Sequence, residues 1–337
     1  MLKKFIFLFI SIGILSFDVY ADMVDDMIDE LKSSSSFKSR LQAAIFLGKI
    51  QDKRAVDVLI STLKDEDYAI KGACAIALGN IQDPKATQPL IELLKDAESL
   101  VRKEAVKALV KLAVNKQSMD KIVNAFKNTD DSMIKMGIIT IFGELKDVNA
   151  LKMLAEGLSG KGKVSDTTTQ IIMGMSSENR FLVLSSALTL KDENARINAI
   201  ELVGTVKEPR LIKPVLQIMR DSSSQEEIKT AKNTLKKLRD KIEVDEYLRI
   251  ARFGNSKDER DMAIQILTVV SDERCIGLLL DLLKDEDIFI RGRSAQALAS
   301  IGDKRAIPPL EKMLKDKKNA RIFPIIKSSL RLLTLSK

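Results

Sequence analysis

Apolar positions recur along this chain at three- and four-residue steps. Val101, Ala105, Ala108, Leu109 and Leu112 fall on one helical face, and Ile70, Cys74, Ala77, Leu78 and Ile81 repeat the pattern earlier in the chain. A late copy reads Ile290, Ser294, Ala297, Leu298 and Ile301. Each set begins one residue before a basic side chain, which serves as an index position. Matching positions fall at Arg40, Lys71, Arg102, Lys135, Asp166, Arg196, Ile228, Arg260, Arg291 and Arg321, at intervals of 31, 31, 33, 31, 30, 32, 32, 31 and 30 residues. A sustained period near 31 predicts a solenoid. A second helix precedes the index helix in most copies, as in "AVDVLISTL" (55–63), "TQPLIELL" (87–94), "IKPVLQIM" (212–219) and "AIPPLEKML" (306–314). The expected class is therefore all-α, a stack of about nine or ten helix pairs over 37–337.

The polar positions between the apolar ones mark the turns. Acidic residues stand twelve places after the index at Asp52, Asp83, Asp147, Glu208, Asp272 and Asp303, where they can cap the next helix. Pro89, Pro214, Pro308 and Pro309 fit helix starts, where a missing N–H costs little. Small residues at the third and sixth places after the index let helices pack closely. Ahead of the first copy, "DMVDDMIDELK" (22–32) predicts a short acidic amphipathic helix that covers the apolar end of the stack, followed by a helix break at "SSSS" (33–36). The divergent segment 321–337 is expected to close the other end.

The strongest internal match joins "LKDEDYAIKGACAIALGNIQD" (63–83) to "LKDEDIFIRGRSAQALASIGD" (283–303), identical at 12 of 21 positions. This phrase resembles a HEAT-type repeat, in the short bacterial variant described as phycobilisome-lyase-like, over about residues 37–337. The resemblance implies a right-handed α-solenoid. It also implies a hydrogen-bonded ladder between a turn aspartate and a base six places later, matched here by Asp65–Lys71, Asp96–Arg102 and Asp285–Arg291. The match weakens across about 160–241, where Asp166 and Ile228 replace the base, leaving either drift or an embedded site. The pigment-attaching activity in the variant's name finds no independent support in these residues.

The first residues have a different pattern. "MLKK", the 13-residue apolar run "FIFLFISIGILSF" and the small-residue end "VYA" predict a secretory signal peptide over 1–21, with export to the periplasm or beyond. No second apolar run of spanning length follows, so the mature chain is expected to have no transmembrane segment. Net charge is +8, and removal of Lys3, Lys4 and Asp18 leaves about +7. Aromatic residues make up only 4%, so the core must be built from Leu, Ile, Val and Ala. Cys74 and Cys275 lie six repeats apart, about 60 Å if each repeat advances by roughly 10 Å, too far for an intramolecular disulfide.

Candidate chemistry is sparse. The chain has no histidine, which removes the usual serine and cysteine triads, His-based metal sites and any kinship with the iron-binding HEAT-like hydroxylases. "SGKGK" (159–163) lacks the ending of a P-loop. Carboxylates recur with the repeat and are accounted for by caps and turns. The expectation is a non-enzymatic protein with no cofactor.

The first and fifth places after the index lie opposite the core, and the resemblance to HEAT repeats implies that they face the inner, concave side. Early repeats present Leu41, Ile45, Gly72, Ile76 and Met136 there, interrupted by Lys103 and Lys107, whereas later ones present Glu201, Asn233, Gln265 and Gln296. Neither column is a basic stripe, so nucleic acid is not expected as a partner. Leu41, Ile45, Ile76, Lys103, Lys107 and Met136 are the candidate partner-binding residues, forming an apolar patch rimmed by charge. The expected function is an exported scaffold or adaptor for a protein partner in the cell envelope. The alternative is binding of an anionic envelope polymer or a membrane surface through the basic C-terminal end.

Overall fold

Helix follows helix through the computed structural model, which describes residues 17–145 and 147–335. Residues 1–16 of the expected leader lie outside them. Among the described residues there is no strand, and no helix is long and apolar enough to cross a membrane. The chain divides into two compact units, Met1–Met175 and Ser176–Lys337. The division falls within the stretch where the repeat pattern weakens.

In the first unit, helices α1 (Phe17–Ser33), α2 (Phe37–Ile50), α3 (Val56–Thr62), α4 (Tyr68–Ile81) and α5 (Thr87–Glu92) are followed by α6 (Ser99–Leu112), α7 (Lys116–Asn128), α8 (Ser132–Leu145), α9 (Val148–Glu156) and α10 (Lys163–Met173). The index helices α2, α4, α6, α8 and α10 pack side by side in sequence order, with the shorter helices laid between them. α1 packs on α2, burying Val24 and Leu31, so the apolar end is covered as expected. Arg40 fixes the junction by donating from Nε to the Leu31 carbonyl at 3.1 Å.

The second unit repeats the plan with α11 (Ser177–Ala187), α12 (Glu193–Val206), α13 (Ile212–Asp221), α14 (Gln225–Lys237), α15 (Val244–Phe253), α16 (Lys257–Val270), α17 (Glu273–Leu282), α18 (Ile288–Ile301), α19 (Ile307–Lys315) and α20 (Phe323–Leu335). Its index helices are α12, α14, α16 and α18, and α20 ends the stack by packing on α18. Arg321 departs from the expected register, because it lies in a 3₁₀ turn ahead of α20 rather than in the helix. Cys74 and Cys275 are free thiols, each buried within its own unit.

The turns follow the acidic column. Asp52, Asp83, Asp147, Glu208, Asp272 and Asp303 are all N-caps whose side chains accept backbone N–H bonds. Each such cap contributes about 1 kcal/mol.

What sets the spacing of the index helices is a small-residue contact at the eighth place after the index. A Cβ on Gly48 of α2 would lie 2.7 Å from the Ala77 Cα of α4, and one on Gly79 of α4 would lie 2.7 Å from the Ala108 Cα of α6. Glycine on alanine brings the two backbones together, and no side chain could give way there. The same place is Gly204 in α12, which lies against Thr234 of α14. That threonine bonds the Ile200 carbonyl across the contact at 2.9 Å.

A polar ladder runs beside this seam, with a direction the six-residue spacing did not reveal. The ionic bond reaches forward to the next repeat: Arg40 to Asp65, Lys71 to Asp96 at 2.6 Å, and Arg260 to Asp285. The six-residue link is made to backbone instead, as in Arg102 to the Asp96 carbonyl at 2.7 Å and Arg291 to the Asp285 carbonyl at 2.7 Å. Asp65, Asp96 and Asp285 each also accept a backbone N–H two residues on. In the repeat around Ile228, which has Ser222 in place of the turn aspartate and no base, Glu227 takes over the acidic role. It is 2% exposed and pairs with Arg196 at 2.5 Å while accepting from Ser222 Oγ at 2.5 Å. Asn319 stands in at the far end, accepting from Arg291 at 2.9 Å.

Burial opposes ionisation of Asp65, Asp96 and Glu227, yet their N–H, guanidinium, ammonium and hydroxyl donors win, and all three carboxyls titrate below their ordinary ranges. Depressed folded-state values mean that the stabilisation is complete above the unfolded values of 3.8 for aspartate and 4.5 for glutamate and is lost as pH falls through the folded ones. Urea midpoints should therefore drop steeply below about pH 4. Arg196→Met should remove the share of that acid sensitivity that comes from Glu227 while costing about 3 kcal/mol at neutral pH, since it strands a buried carboxylate. Gly79→Val should cost about 2 kcal/mol in the same measurement, because its Cβ meets backbone rather than a movable side chain.

Candidate partner-binding groove

The glycine-on-alanine contact is lost between α6 and α8, whereas between α8 and α10 the glycine is kept and Gly143 meets the side chain of Ile171. The eighth place after Arg102 is Val110, and the sixth after Lys135 is Ile141. Two branched side chains now stand where Gly79 and Ala108 meet one repeat earlier. Helix separation follows the bulk at the contact, so α6 and α8 are held apart. The result is a groove of about 900 Å³.

Val106 and Val110 of α6 form one wall, and Met133, Met136 and Thr140 of α8 form the other. The floor is Leu94, from the 3₁₀ turn that follows α5. It seats against Gly137, where a Cβ would lie 2.9 Å from Leu94 Cδ2. Ile76 of α4, 45% exposed, extends the apolar lining. Arg102, Lys103, Lys107 and Lys111 border the groove, against Glu104 and Glu144.

Four of the six candidate residues meet here: Ile76, Lys103, Lys107 and Met136 all line the groove. Leu41 and Ile45 sit on α2 and do not, although Ile45 is 46% exposed. Sequence reasoning missed Val106, Val110, Met133 and the Leu94 floor. The signal was available, since Gly48, Gly79, Gly143 and Gly204 recur at the eighth place and Val110 interrupts them.

The rim charges are unequally engaged. Lys107 pairs with Glu104 at 2.8 Å, and Lys111 donates to Asn80 Oδ1 at 2.7 Å. Arg102 makes no ion pair among the described residues, because the forward position of its ladder is Thr129 rather than aspartate. Lys103 likewise has no acidic partner there. No group of three or more His, Cys, Asp and Glu that could hold a metal ion occurs among the described residues. Burial pushes both thiols up, Cys74 to about 12 and Cys275, helped by its bond with Asp272, to about 12, which leaves neither as a thiolate nucleophile at neutral pH.

The family model for HEAT repeats matches residues 24–110 and 244–323. Both segments are HEAT repeats. The matched segments hold the forward ionic bonds from Arg40, Lys71 and Arg260 together with the Asn319 substitute, and the stretch between them holds the Glu227 substitute. No curated protein matches the sequence. Among solved structures, an engineered protein is 17% identical over 92% of this chain and 98% of its own, with a TM-score of 0.28. Kap121p bound to Ste12p is 15% identical over 92% of this chain, with a TM-score of 0.40, and this chain spans 41% of its length. Human deoxyhypusine hydroxylase in complex with glycerol is 15% identical over 83% of this chain and 96% of its own, with a TM-score of 0.30. The fold of each unit is an all-α stack of helix pairs, with HEAT repeats over residues 24–110 and 244–323.

Proposed function

We propose that this protein is a non-enzymatic adaptor that works after export and holds a protein partner in the groove between α6 and α8. The observation that supports it is the groove itself: an apolar trough with a charged rim, opened by a local departure from the packing rule. Extended surfaces of this kind suit protein docking, and HEAT solenoids bind protein partners. The side chains around it supply no nucleophile–base pair. The export step rests on the leader pattern of residues 1–21, and an envelope partner follows from it.

The test is photo-crosslinking in intact cells from positions 76 and 136, with position 45 as the exposed control outside the groove. The expected outcome is one dominant partner captured from the first two positions, and its loss in the Ile76→Asp/Met136→Asp variant. Equal capture from position 45, or none from 76 and 136, overturns the groove as the site. Recovery of the protein only from the cytoplasmic fraction overturns export.

A second reading has its own support at the far end of the second unit. Lys312, Lys315, Lys317, Lys318, Arg321, Lys327 and Arg331 are exposed and make no ion pair among the described residues. Such a cluster suits an anionic polymer or membrane surface. Retention on envelope material that falls at least tenfold between about 0.05 and 0.5 M salt would favour it, since apolar docking survives screening.

A further inference from the structure

Resting on that adaptor reading, we infer that the occupant of the α6–α8 groove is an acidic amphipathic helix of about 14 residues. Three observations lead there. The first is the chemistry of the walls. They come from the bodies of two α-helices, whose backbone N–H and C=O groups are already bonded within each helix. An extended peptide would bury its own backbone groups against apolar side chains with nothing to pair them, at a cost of about 1–3 kcal/mol each. A helix bonds its own backbone and presents only side chains. It would complete a three-helix contact with α6 and α8, and both of those are 14 residues long.

The second observation is the charge at the rim. Arg102, Lys103, Lys107 and Lys111 face Glu104 and Glu144, leaving two positive charges in excess. Arg102, Lys103 and Lys111 have no carboxylate partner among the described residues, Lys111 being bonded to the Asn80 amide oxygen instead. Arg102 lacks one because its ladder position is Thr129, so the ladder's gap leaves an unmatched cation beside the groove. Glutamate or aspartate along the flank of the bound helix would supply what the next repeat does not.

The third is adaptability. Met133 and Met136 form most of the α8 wall, and unbranched thioether chains reshape around varied apolar anchors. The acidic helix in this chain, α1, is engaged elsewhere, with Val24 and Leu31 buried on α2.

The experiment is selection from a display library of 20-residue amphipathic helices with apolar residues at i, i+3, i+4 and i+7 and randomised flanks, mixed with extended-peptide controls. The bait is the chain from Asp22, with counter-selection against Met136→Asp. The expected result is enrichment of helices with acidic flanks, binding at least tenfold more weakly to Lys103→Glu/Lys111→Glu, with basic-flanked helices preferred by that variant. Both lysines are exposed, so the variant should keep its helical circular dichroism. Groove-dependent helices without acidic bias, or groove-dependent extended peptides, overturn the inference and leave the adaptor reading standing. No groove-dependent binder of any kind, with no crosslinked partner in cells, overturns both.

Discussion

Everything in this molecule depends on how closely consecutive index helices can approach. With only 4% aromatic residues, the core has little bulk to fill wide gaps, so neighbouring backbones must come close. Glycine at the eighth place of one helix against alanine at the sixth of the next provides that approach at Gly48–Ala77 and Gly79–Ala108. Glycine inside a helix costs roughly 0.5–1 kcal/mol relative to alanine. The contact repays it because a Cβ at either position would run into backbone. Where larger residues occupy the same places, the helices separate and a surface feature appears. The groove is thus the local failure of the rule that builds the rest.

The ladder is a second, weaker constraint. A base on one index helix bonds the turn aspartate of the next repeat at Arg40, Lys71 and Arg260, the last of these with Thr268 rather than glycine at the eighth place. Forward ionic bonds from Arg40 and Lys71 occur where glycine meets alanine, and none forms from Arg102, whose forward position is Thr129. The polar bonds are also adaptable in a way that the packing is not. Glu227 and Asn319 show that a carboxylate or amide from a neighbouring position can restore a bond after the turn aspartate is lost. Backbone spacing has no comparable substitute.

Much of this could be read from the residues. The period near 31 fixed the helix pairs, the acidic column identified all six caps named in advance, and the acidic N-terminal helix was placed as a cover for the first repeat. Those features depend on local spacing, which a linear sequence displays. The forward direction of the ladder was hidden because Asp65 is equally six residues before Lys71 and twenty-five after Arg40, and only packing decides which partner it meets. Arg321 misled for the opposite reason: it kept the period while the backbone around it tightened into a 3₁₀ turn. The groove was half legible. Ile76, Lys103, Lys107 and Met136 shared a predicted face, but Leu41 and Ile45 share it too and stay outside. Val110 and Ile141, which break the small-residue register, lie at the eighth and sixth places, away from the first and fifth places that define that face.

Two departures from the repeat coincide at this pair of helices. Val110 and Ile141 break the close contact, and Thr129 removes the acid that would neutralise Arg102. Either change alone would be an ordinary variation. The first alone would leave an apolar crevice with a balanced rim, and the second alone would leave a cation on a closed surface. Together they produce an open apolar trough beside uncompensated positive charge. A chain whose local choices otherwise agree with its fold gives up packing and pairing at the same place, and such a conflict is the mark expected of a site shaped for something other than stability. The degenerate repeat around Glu227 makes the contrast clear. There, too, the consensus is lost, but the lost bond is rebuilt and Gly204 still meets Thr234 closely. Drift that is compensated restores the stack, whereas the departure at α6 and α8 is left open.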